Sequence, residues 1–301
     1  MTSMQLEMFE SIGLPLAKSP VNVASVPQRS PFRYPGGKTW LVPHLRKWLR
    51  SVQPKATHFI EPFAGGGIIS LTVAAERLAG HVTMVELDEQ VAAVWQTLIE
   101  SDDGEWLAEK IVHFDINGIT ADEVRVFVEK ESDNVREQAF KTILKNRTFH
   151  GGILAPGSAP IKNGENGKGL ASRWYPETLR KRILGIVHIK DSIEFIEGDG
   201  LAVMESRIES PTSVFFIDPP YTVAGKGAGR RLYSRFELDH ERLFELASMV
   251  HGDFLMTYDN ALNVRELADK FGFDTELVAM KNTHHAEMNE LLIGRDLNWA
   301  R

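Results

Sequence analysis

An acidic turn that carries an aromatic residue lies in the second half of the chain, where Asp218 is followed by Pro219, Pro220 and Tyr221. Neither proline can donate a hydrogen bond to a sheet, so the turn is stiff and ends the strand before it. There Asp218 and the Pro219 carbonyl can accept hydrogen bonds, and Tyr221 offers a flat face to a planar ligand. A plain strand-terminating turn with a capping aspartate is the alternative, because Asp-Pro is a common turn signal.

Two further carboxylates end predicted strands nearer the amino terminus. Glu61 ends a strand over 57–61, and three consecutive glycines follow at 65–67. Such glycines let a ligand lie directly on the backbone. Glu86 ends the next predicted strand, 82–86, where a carboxylate can take both hydroxyls of a ribose. A glycine loop after the first strand and an acid after the second together indicate a nucleoside-bearing cofactor.

A second glycine turn precedes these strands. Gly36 and Gly37 are followed by Lys38 at the start of a predicted helix. A glycine turn that feeds a helix N-terminus, with a lysine at the junction, suits a carboxylate or a phosphate. Many Gly-Gly turns bind nothing, so this signal is weak by itself.

The elements that must position these residues alternate along the chain. Apolar patterns predict strands at 57–61, 82–86, 193–199, 213–217, 254–260, 275–280 and 290–293, and helices at 39–49, 68–78, 89–99, 176–187, 239–250 and 264–271. Residues 102–145 also look helical and are partly polar. Alternating strands and helices predict an α/β fold with a parallel sheet. The uncharged run 213–217 predicts a central strand covered on both faces. Ligands of such sheets bind at the carboxyl ends of the strands, where the acidic turn lies.

The composition is that of a globular protein of 301 residues with a net charge of −7 and no cysteine. The lack of cysteine excludes disulfides, thiolate zinc sites and thiol nucleophiles, and it fits a reducing cytoplasm. No apolar run is long enough for a membrane span. Glu7 and Glu10 interrupt the amino-terminal apolar residues, so no signal peptide is predicted.

Positive charge is concentrated in two stretches of this acidic chain. Between residues 141 and 182, nine basic residues face only two acidic ones, which gives a net charge of +7, and residues 222–236 add four basic residues and no acid. A basic face on an acidic protein is typical of nucleic-acid binding, and solvated loop charge is the alternative. The glycines, amides and bases of 145–169 predict a loop-and-hairpin insertion outside the packed core, suited to reading base edges. A flexible surface loop is the other interpretation.

Residues 1–30 contain three prolines and predict an extended or partly disordered arm. Within the arm, the segment Gln5–Phe9 resembles the short peptide by which bacterial DNA enzymes dock on the replication sliding clamp. A leucine and a Met-Phe pair would enter an apolar groove. A short helix packed on the body of the protein is the alternative.

Taken together, these motifs resemble the DNA adenine methyltransferases of the Dam type. They follow the family's order, which runs 34–38, 59–67, Glu86, 198–199 and 218–221, and the resemblance covers about residues 31–297. Tyr34 and Pro35 stand where the family often has Trp-Ala, and Glu86 stands where many members have Asp. Both departures keep the chemistry. The insertion diverges more, so the target sequence does not carry over.

The resemblance implies a Rossmann-like α/β sheet that binds S-adenosylmethionine, with an inserted helical and hairpin region for DNA recognition. The catalytic domain would comprise 31–100 and 188–301, the target-recognition insertion 101–187, and the arm 1–30. The implied reaction is transfer of a methyl group to the exocyclic amine of a flipped adenine in double-stranded DNA. Such an enzyme would be cytoplasmic, encoded by a bacterium or phage, and associated with the nucleoid.

The resemblance also assigns roles by position. Asp218, Pro219, Pro220 and Tyr221 would hold the target base. The cofactor would contact Tyr34, Gly37, Lys38, Glu61, Pro62, Phe63, Ala64, Gly65, Gly66, Glu86, Asp199 and Asp218. The basic stretches supply the predicted DNA contacts, which are Asn146, Arg147, Lys162, Lys168, Arg173, Lys226, Arg230 and Arg231. No metal site is expected.

Three other functions fit part of this pattern. Related enzymes methylate the exocyclic amine of cytosine or a protein glutamine amide, but these usually carry Ser or Asn at the position of Asp218. A catalytically silent DNA-binding relative is the third, and intact Glu61, Asp218 and Tyr221 argue against it.

Overall fold

A seven-stranded sheet forms the centre of the protein, as seen in a computed structural model that describes residues 25–34, 36–130, 132–164, 167–220, 238–281 and 287–301. The strands are β1 (His58–Glu61), β2 (His81–Glu86), β3 (Ile193–Glu197), β4 (Ser213–Ile217), β5 (Asp253–Asp259), β6 (Asp274–Lys281) and β7 (Glu287–Gly294). Their order is β3-β2-β1-β4-β5-β7-β6. Strands β1 to β5 run parallel, and β7 is antiparallel to both of its neighbours. The predicted Rossmann-like α/β fold is confirmed.

Strand β4 lies at the middle of this sheet with all five of its residues buried. Val214 and Phe216 pack into the core on one face, and Phe215 and Ile217 pack into the core on the other. Successive side chains of a strand point to opposite faces, so a strand covered on both sides needs a continuous apolar run. The expectation drawn from the sequence therefore holds, and β4 is a rigid mount for the turn that follows it.

Ten α-helices occur among the described residues. They are α1 (Val42–Ser51), α2 (Ile68–Glu76), α3 (Glu89–Trp95), α4 (Gly104–His113), α5 (Ala121–Glu129), α6 (Val135–Thr148), α7 (Pro176–Val187), α8 (Gly200–Arg207), α9 (His240–Met249) and α10 (Leu262–Phe271). Helices α1 to α7 share one core with one face of the sheet, and α8, α9 and α10 cover the other face. Helix α8 has no counterpart in the sequence prediction, because it is only eight residues long and buries little beyond Met204.

Helices α4 to α7 occupy the region between β2 and β3, which the sequence assigned to an insertion. Their buried side chains join the same hydrophobic core as the sheet. The expectation that 145–169 lies outside the packed core is wrong. Phe149 and Ala155 are almost fully buried, and Leu154 and Ile161 are nearly so. The hairpin itself is present in part, as an antiparallel bridge between Phe149 and Pro160.

Within the described residues, no helix combines the length and the apolar character that a membrane crossing requires.

Candidate active site at the carboxyl ends of the central strands

The three predicted carboxylates meet at one edge of the sheet. Glu61 ends β1, Glu86 ends the neighbouring β2, and Asp218 directly follows β4 on the other side of β1. Strands β1 and β4 are adjacent although more than 150 residues separate them, so the chain reverses its direction of winding between them. This switch point is where ligands of open α/β sheets bind. The observed position of these three carboxylates therefore agrees with what the sequence predicted from the strand ends.

Asp218 is held by two side chains from other parts of the fold. Lys38 Nζ lies 2.9 Å from Asp218 Oδ1, and Thr257 Oγ1 donates a hydrogen bond of 2.8 Å to the same oxygen. Thr257 is in β5, the strand paired with β4, and is fully buried. Two donors on one oxygen fix the rotation of the carboxylate, so its orientation is set before any substrate arrives.

Lys38 is itself buried, and its described contacts are with protein groups. Besides Asp218, its ammonium lies 3.1 Å from Glu290 Oε1 in β7 and donates to the Gly36 carbonyl at 3.0 Å. The lysine side chain is only 5% exposed and the Glu290 side chain 7%. Lys38 therefore connects the acidic turn to β7, a role that the sequence did not predict.

Glu61 is buried beneath the first turn of α2. Its Oε2 accepts hydrogen bonds from Ser70, from the backbone N–H at 3.0 Å and from the hydroxyl. The pKa of Glu61 is raised to about 8, chiefly by burial and in part by the negative charges of Asp218 and Glu86, against the lowering effect of the Ser70 hydrogen bonds. A buried carboxylate beside two others is expensive to ionise and favours a positively charged neighbour.

Glu86 links the glycine loop after β1 to the turn after β2. Its Oε2 accepts the Gly65 N–H at 2.8 Å, and its Oε1 accepts the backbone N–H groups of Leu87 at 2.9 Å and Asp88 at 2.8 Å. Burial raises the pKa of Glu86 to about 7. An ionised carboxylate accepts about four hydrogen bonds, so three backbone donors leave capacity for roughly one more. Glu86 could accept both ribose hydroxyls only if one of these three backbone hydrogen bonds were broken.

Tyr34 occupies the space that the glycine loop provides. A Cβ atom added at Gly65 would lie 2.7 Å from Tyr34 Cε1, and one added at Gly66 would lie 2.7 Å from Tyr34 Cβ. The sequence predicted that these glycines admit a ligand, but their immediate neighbour is this side chain. The loop is pinned further by Trp95, whose indole donates to the Gly65 carbonyl at 3.0 Å, and by Ser30, which donates to the Gly66 carbonyl.

The remaining cofactor candidates surround this loop. Ala64 N–H donates to the Val85 carbonyl at 2.9 Å, and buried Pro62 and half-buried Phe63 approach Gly200 at the start of α8. Asp199 caps α8 by accepting the Leu201 N–H at 2.9 Å and is otherwise exposed. Gly37 lies in the turn below Tyr34 and donates to its carbonyl at 3.2 Å. All of these groups lie around the strand ends.

This set of groups fits S-adenosylmethionine. The sulfonium and amino groups of that cofactor are cationic, and the carboxylates of Glu61, Glu86 and Asp218 at the ends of neighbouring strands suit a cationic ligand. The exposed carboxylate of Asp199 and the remaining acceptor capacity of Glu86 suit amine and hydroxyl donors.

Two of the predicted DNA contacts are wrong, because their side chains are buried. Asn146 is 0% exposed and Arg147 5%. Asn146 bonds both backbone groups of Arg33, accepting the N–H at 2.8 Å and donating to the carbonyl at 3.0 Å. The Arg147 guanidinium donates to the Pro31 carbonyl. These side chains fasten the segment that carries Tyr34 to α6 and cannot read base edges there.

Three other predicted DNA contacts are at least partly exposed. Lys162 and Lys168 are exposed, and Arg173 is partly exposed beside Tyr175, whose ring is 48% exposed. Burial, together with the positive charges of Arg182, Arg33 and Arg173, lowers the pKa of Arg147 to about 9. These guanidinium groups thus repel one another.

Several sequence predictions fall outside the described residues. They are the stacking residue Tyr221, the basic residues Lys226, Arg230 and Arg231, and the segment Gln5–Phe9.

Sequence reasoning missed the groups that reach the site from the late strands. Thr257 and Glu290 give no sequence signal, because each stands in an otherwise ordinary strand. His240 at the start of α9 is half-buried and bonds the Tyr258 hydroxyl at 2.9 Å. Burial raises the pKa of Tyr258 well above its usual value, and Asp218 raises it further.

Two histidines and a glutamate meet at the opposite edge of the sheet. The potential ligand atoms of His58, His81 and Glu194 lie within 4.8 Å of one another. Glu194 already pairs with Arg207 at 3.0 Å and accepts the Thr83 hydroxyl at 2.8 Å. A cation therefore already lies on the carboxylate, and we assign no metal ion to this group.

Comparison with known proteins places this site in a sequence family. The profile of the D12 class N6 adenine-specific DNA methyltransferases matches residues 34–282. No curated protein matches the sequence.

Among solved structures, the rRNA methyltransferase aviRa from Streptomyces viridochromogenes is 12% identical, with 87% of this chain and 86% of that chain covered and a TM-score of 0.38. The precorrin-6y C5,15-methyltransferase from Geobacter metallireducens is 10% identical, with 94% and 93% covered and a TM-score of 0.35. Likenesses this distant carry no argument about function.

Proposed function

The chain belongs to the D12 class N6 adenine-specific DNA methyltransferase family, and on this premise we propose which of its residues hold the adenine, the cofactor and the DNA. The reaction is transfer of a methyl group from S-adenosylmethionine to the exocyclic amine of adenine in DNA. The family is adenine-specific, which agrees with aspartate rather than serine or asparagine at position 218.

The adenine amine donates to Asp218 and to the Pro219 carbonyl. The observation that carries this proposal is the bracing of Asp218 Oδ1 by Lys38 and Thr257. Adenine N6 is a poor nucleophile, because its lone pair is delocalised into the ring. Two acceptors aligned on its hydrogens favour a pyramidal nitrogen with a localised lone pair. The pinned carboxylate supplies this alignment at no cost of reorganisation during the reaction.

The cofactor lies over the ends of β1 and β2. Glu86 accepts a ribose hydroxyl, Asp199 accepts the adenine amino group of the cofactor, and Glu61 contributes negative charge from below. When bound, S-adenosylmethionine supplies an electrophilic methyl group on a cationic sulfur. Tyr34, seated on Gly65 and Gly66, forms the wall of this pocket next to the acidic turn.

The target base leaves the duplex to reach Asp218. Unstacking costs a few kcal/mol, and a base stacked on an aromatic ring recovers about 1–3 kcal/mol. Tyr221 is our candidate for that stacking partner, because Pro219 and Pro220 hold it close to Asp218 in the chain. The segment 101–187 serves as the target-recognition region, with Lys162, Lys168 and Arg173 on phosphates. Lys226, Arg230 and Arg231 add further phosphate contacts.

Two finer proposals rest on the sequence alone. The segment Gln5–Phe9 docks on the replication sliding clamp, and the enzyme works in the cytoplasm at the nucleoid. Binding of the full-length chain to purified clamp protein, compared with a Leu6→Ala, Phe9→Ala variant, tests the first. Equal binding of both proteins would remove the clamp proposal.

Labelled S-adenosylmethionine and mixed-sequence duplex DNA test the main proposal. We expect label in the DNA, and digestion to nucleosides should place it on N6 of adenine. Label on cytosine, or none at any salt concentration, would overturn it. Sequencing of the modified positions then gives the recognition site.

A further inference from the structure

Glu290 and Asp218 share one buried cation. Lys38 Nζ lies 2.9 Å from Asp218 Oδ1 and 3.1 Å from Glu290 Oε1, and both Lys38 and Glu290 are almost entirely excluded from solvent. Glu290 stands in β7, whose neighbour β5 also supplies Thr257. The ion pair between Lys38 and Asp218 would suffice by itself to fix the orientation of Asp218. The second buried carboxylate therefore needs its own explanation.

We propose that Glu290 is a positioning residue that balances the charge of Lys38, so that Asp218 acts on the target amine as a net anion. The proposal rests on the proposed function, because it takes the amine to be held by Asp218. Two carboxylates and one ammonium carry a net charge of −1. Without Glu290 the remaining pair would be neutral, although every hydrogen bond of Asp218 stayed in place.

The sign of the net charge matters because the target nitrogen becomes positive. As the bond from N6 to the incoming methyl group forms, the bond from that methyl to sulfur breaks and its electron pair stays on the sulfur. N6 is cationic until one of its two protons leaves to solvent. A net negative group beside N6 stabilises this charge, whereas the neutral pair of Lys38 and Asp218 that remains without Glu290 would stabilise it less.

Burial makes this balance effective. Charges excluded from water interact more strongly than exposed ones, and removing one member of a buried group leaves the others uncompensated. Other titratable groups also face Asp218 from the surrounding strands, and they are Glu61 at the end of β1 and Tyr258 and Asp259 at the end of β5. Lys38 is the cation that the described structure places in contact with Asp218. Its second partner, Glu290, therefore decides how strongly the positive charge of Lys38 acts on Asp218.

The test compares Glu290→Gln with the parent and with Glu276→Gln. Glu276 stands on the neighbouring β6, where it pairs with Arg301 at the surface. We expect Glu290→Gln to lower kcat roughly 10- to 100-fold with KM for the cofactor nearly unchanged, since only the charged transition state needs the extra anion. Glu276→Gln should behave as the parent does.

The pH profile separates this role from a merely structural one. Loss of Glu290 removes one negative charge from the buried group around Lys38, so the acidic limb of kcat/KM should move to lower pH. Lys38→Met leaves two adjacent carboxylates and moves that limb the opposite way. Glu290→Asp keeps the negative charge, so the acidic limb of its kcat/KM profile should lie at the same pH as that of the parent.

A readout without cofactor completes the test. Urea unfolding of the Lys38→Met and Glu290→Gln variants and of the double variant should show coupling between the two positions. If the parent methylates adenine but Glu290→Gln matches it in kcat and in pH profile, this inference fails and the proposed function stands. If the parent transfers no methyl group to DNA, the proposed function fails. Should Glu290→Gln not fold, the shifts with Lys38→Met and Glu290→Asp decide the matter.

Discussion

Thr257 donates a hydrogen bond of 2.8 Å to Asp218 across two neighbouring strands. Strands β4 and β5 are paired in parallel, with Ile217 opposite Met256, so their register puts the hydroxyl level with the acidic turn. Thr257 is completely buried, which shields the bond from competing water. The sheet itself thus orients the carboxylate that we propose holds the target amine.

Thr257→Val should lower kcat by about 3- to 10-fold, the equivalent of one hydrogen bond, and should leave cofactor affinity unchanged. Valine keeps the shape of the side chain, so Asp218 loses a donor but the core keeps its packing. Single-turnover methylation and calorimetric titration with S-adenosylmethionine measure the two effects. Thr97→Val is the matched control, because Thr97 is also buried but bonds only the Ala93 carbonyl of its own helix. An equal loss of kcat in both variants would contradict the proposed bracing.

Asp218→Ala should lower kcat by about 10²- to 10³-fold or more, as expected for the removal of a preorganised electrostatic partner. Cofactor binding should persist, because Glu61, Glu86 and the glycine loop are untouched. The rate comes from label transfer to DNA and the affinity from titration. Asp191→Ala, an exposed aspartate before β3, serves as the control. A near-parental rate for Asp218→Ala would show that another group holds the amine.

Gly65→Ala should weaken cofactor binding and lower stability by more than Gly157→Ala does. Both glycines have positive φ, +47° at Gly65 and +85° at Gly157, so both variants carry the backbone strain of about 1–2 kcal/mol. A Cβ at Gly157 meets nothing within 4 Å, whereas one at Gly65 meets the Tyr34 ring. The difference between the two variants thus measures the displacement of Tyr34. Equal effects in thermal unfolding and in cofactor titration would show that the ring contact does not matter.

Glu61 should make the cofactor-free protein less stable as pH rises. Its folded pKa is raised to about 8 from an ordinary value of 4.5, so the folded state binds the proton more tightly than the unfolded state. The resulting stabilisation is complete below about pH 4.5 and is lost as pH rises through 8. Urea unfolding at pH 6 and pH 9 should therefore show a larger loss for the parent than for Glu61→Gln.

Glu177→Gln, an exposed glutamate in the first turn of α7, should lose as much stability as the parent over the same interval. A parent and Glu61→Gln with identical pH dependence would mean that Glu61 is ionised throughout.

Arg173→Ala should weaken DNA binding and reduce the slope of log affinity against log salt by roughly one, as the loss of a single phosphate contact predicts. Arg180→Ala should change both quantities less, because Arg180 is already paired with Glu109 at 2.8 Å. Fluorescence anisotropy with a labelled duplex at several salt concentrations measures the slopes. Identical slopes for the two variants would place Arg173 outside the DNA interface.

The acidic turn and the strand before it were predictable because their chemistry is local. An uncharged run, a carboxylate and two prolines follow one another directly, and each restricts the backbone by itself. Glu61 and Glu86 were predictable for a similar reason, since parallel strands present their carboxyl ends at the same edge.

Thr257 and Glu290 were not predictable, because their roles depend on pairing between strands far apart in the sequence. The order β4-β5-β7 and its register decide what they face. The predicted DNA contacts of Asn146 and Arg147 were wrong for a different reason. An amide and a guanidinium in a basic stretch indicate exposed side chains. Only the tertiary contacts show that both side chains donate hydrogen bonds to backbone carbonyls of Arg33 and Pro31.

The fastening of Pro31 and Arg33 by Asn146 and Arg147 sets a boundary for redesign. An exchange of target specificity between relatives that replaced the whole of 101–187 would also remove the two side chains that hold the Tyr34 segment. A graft that starts after Gly152 keeps them, together with the Gly152 carbonyl that Asn146 also bonds. New specificities should therefore be sought in the part of the insertion beyond that glycine, while the end of α6 is retained as part of the catalytic framework.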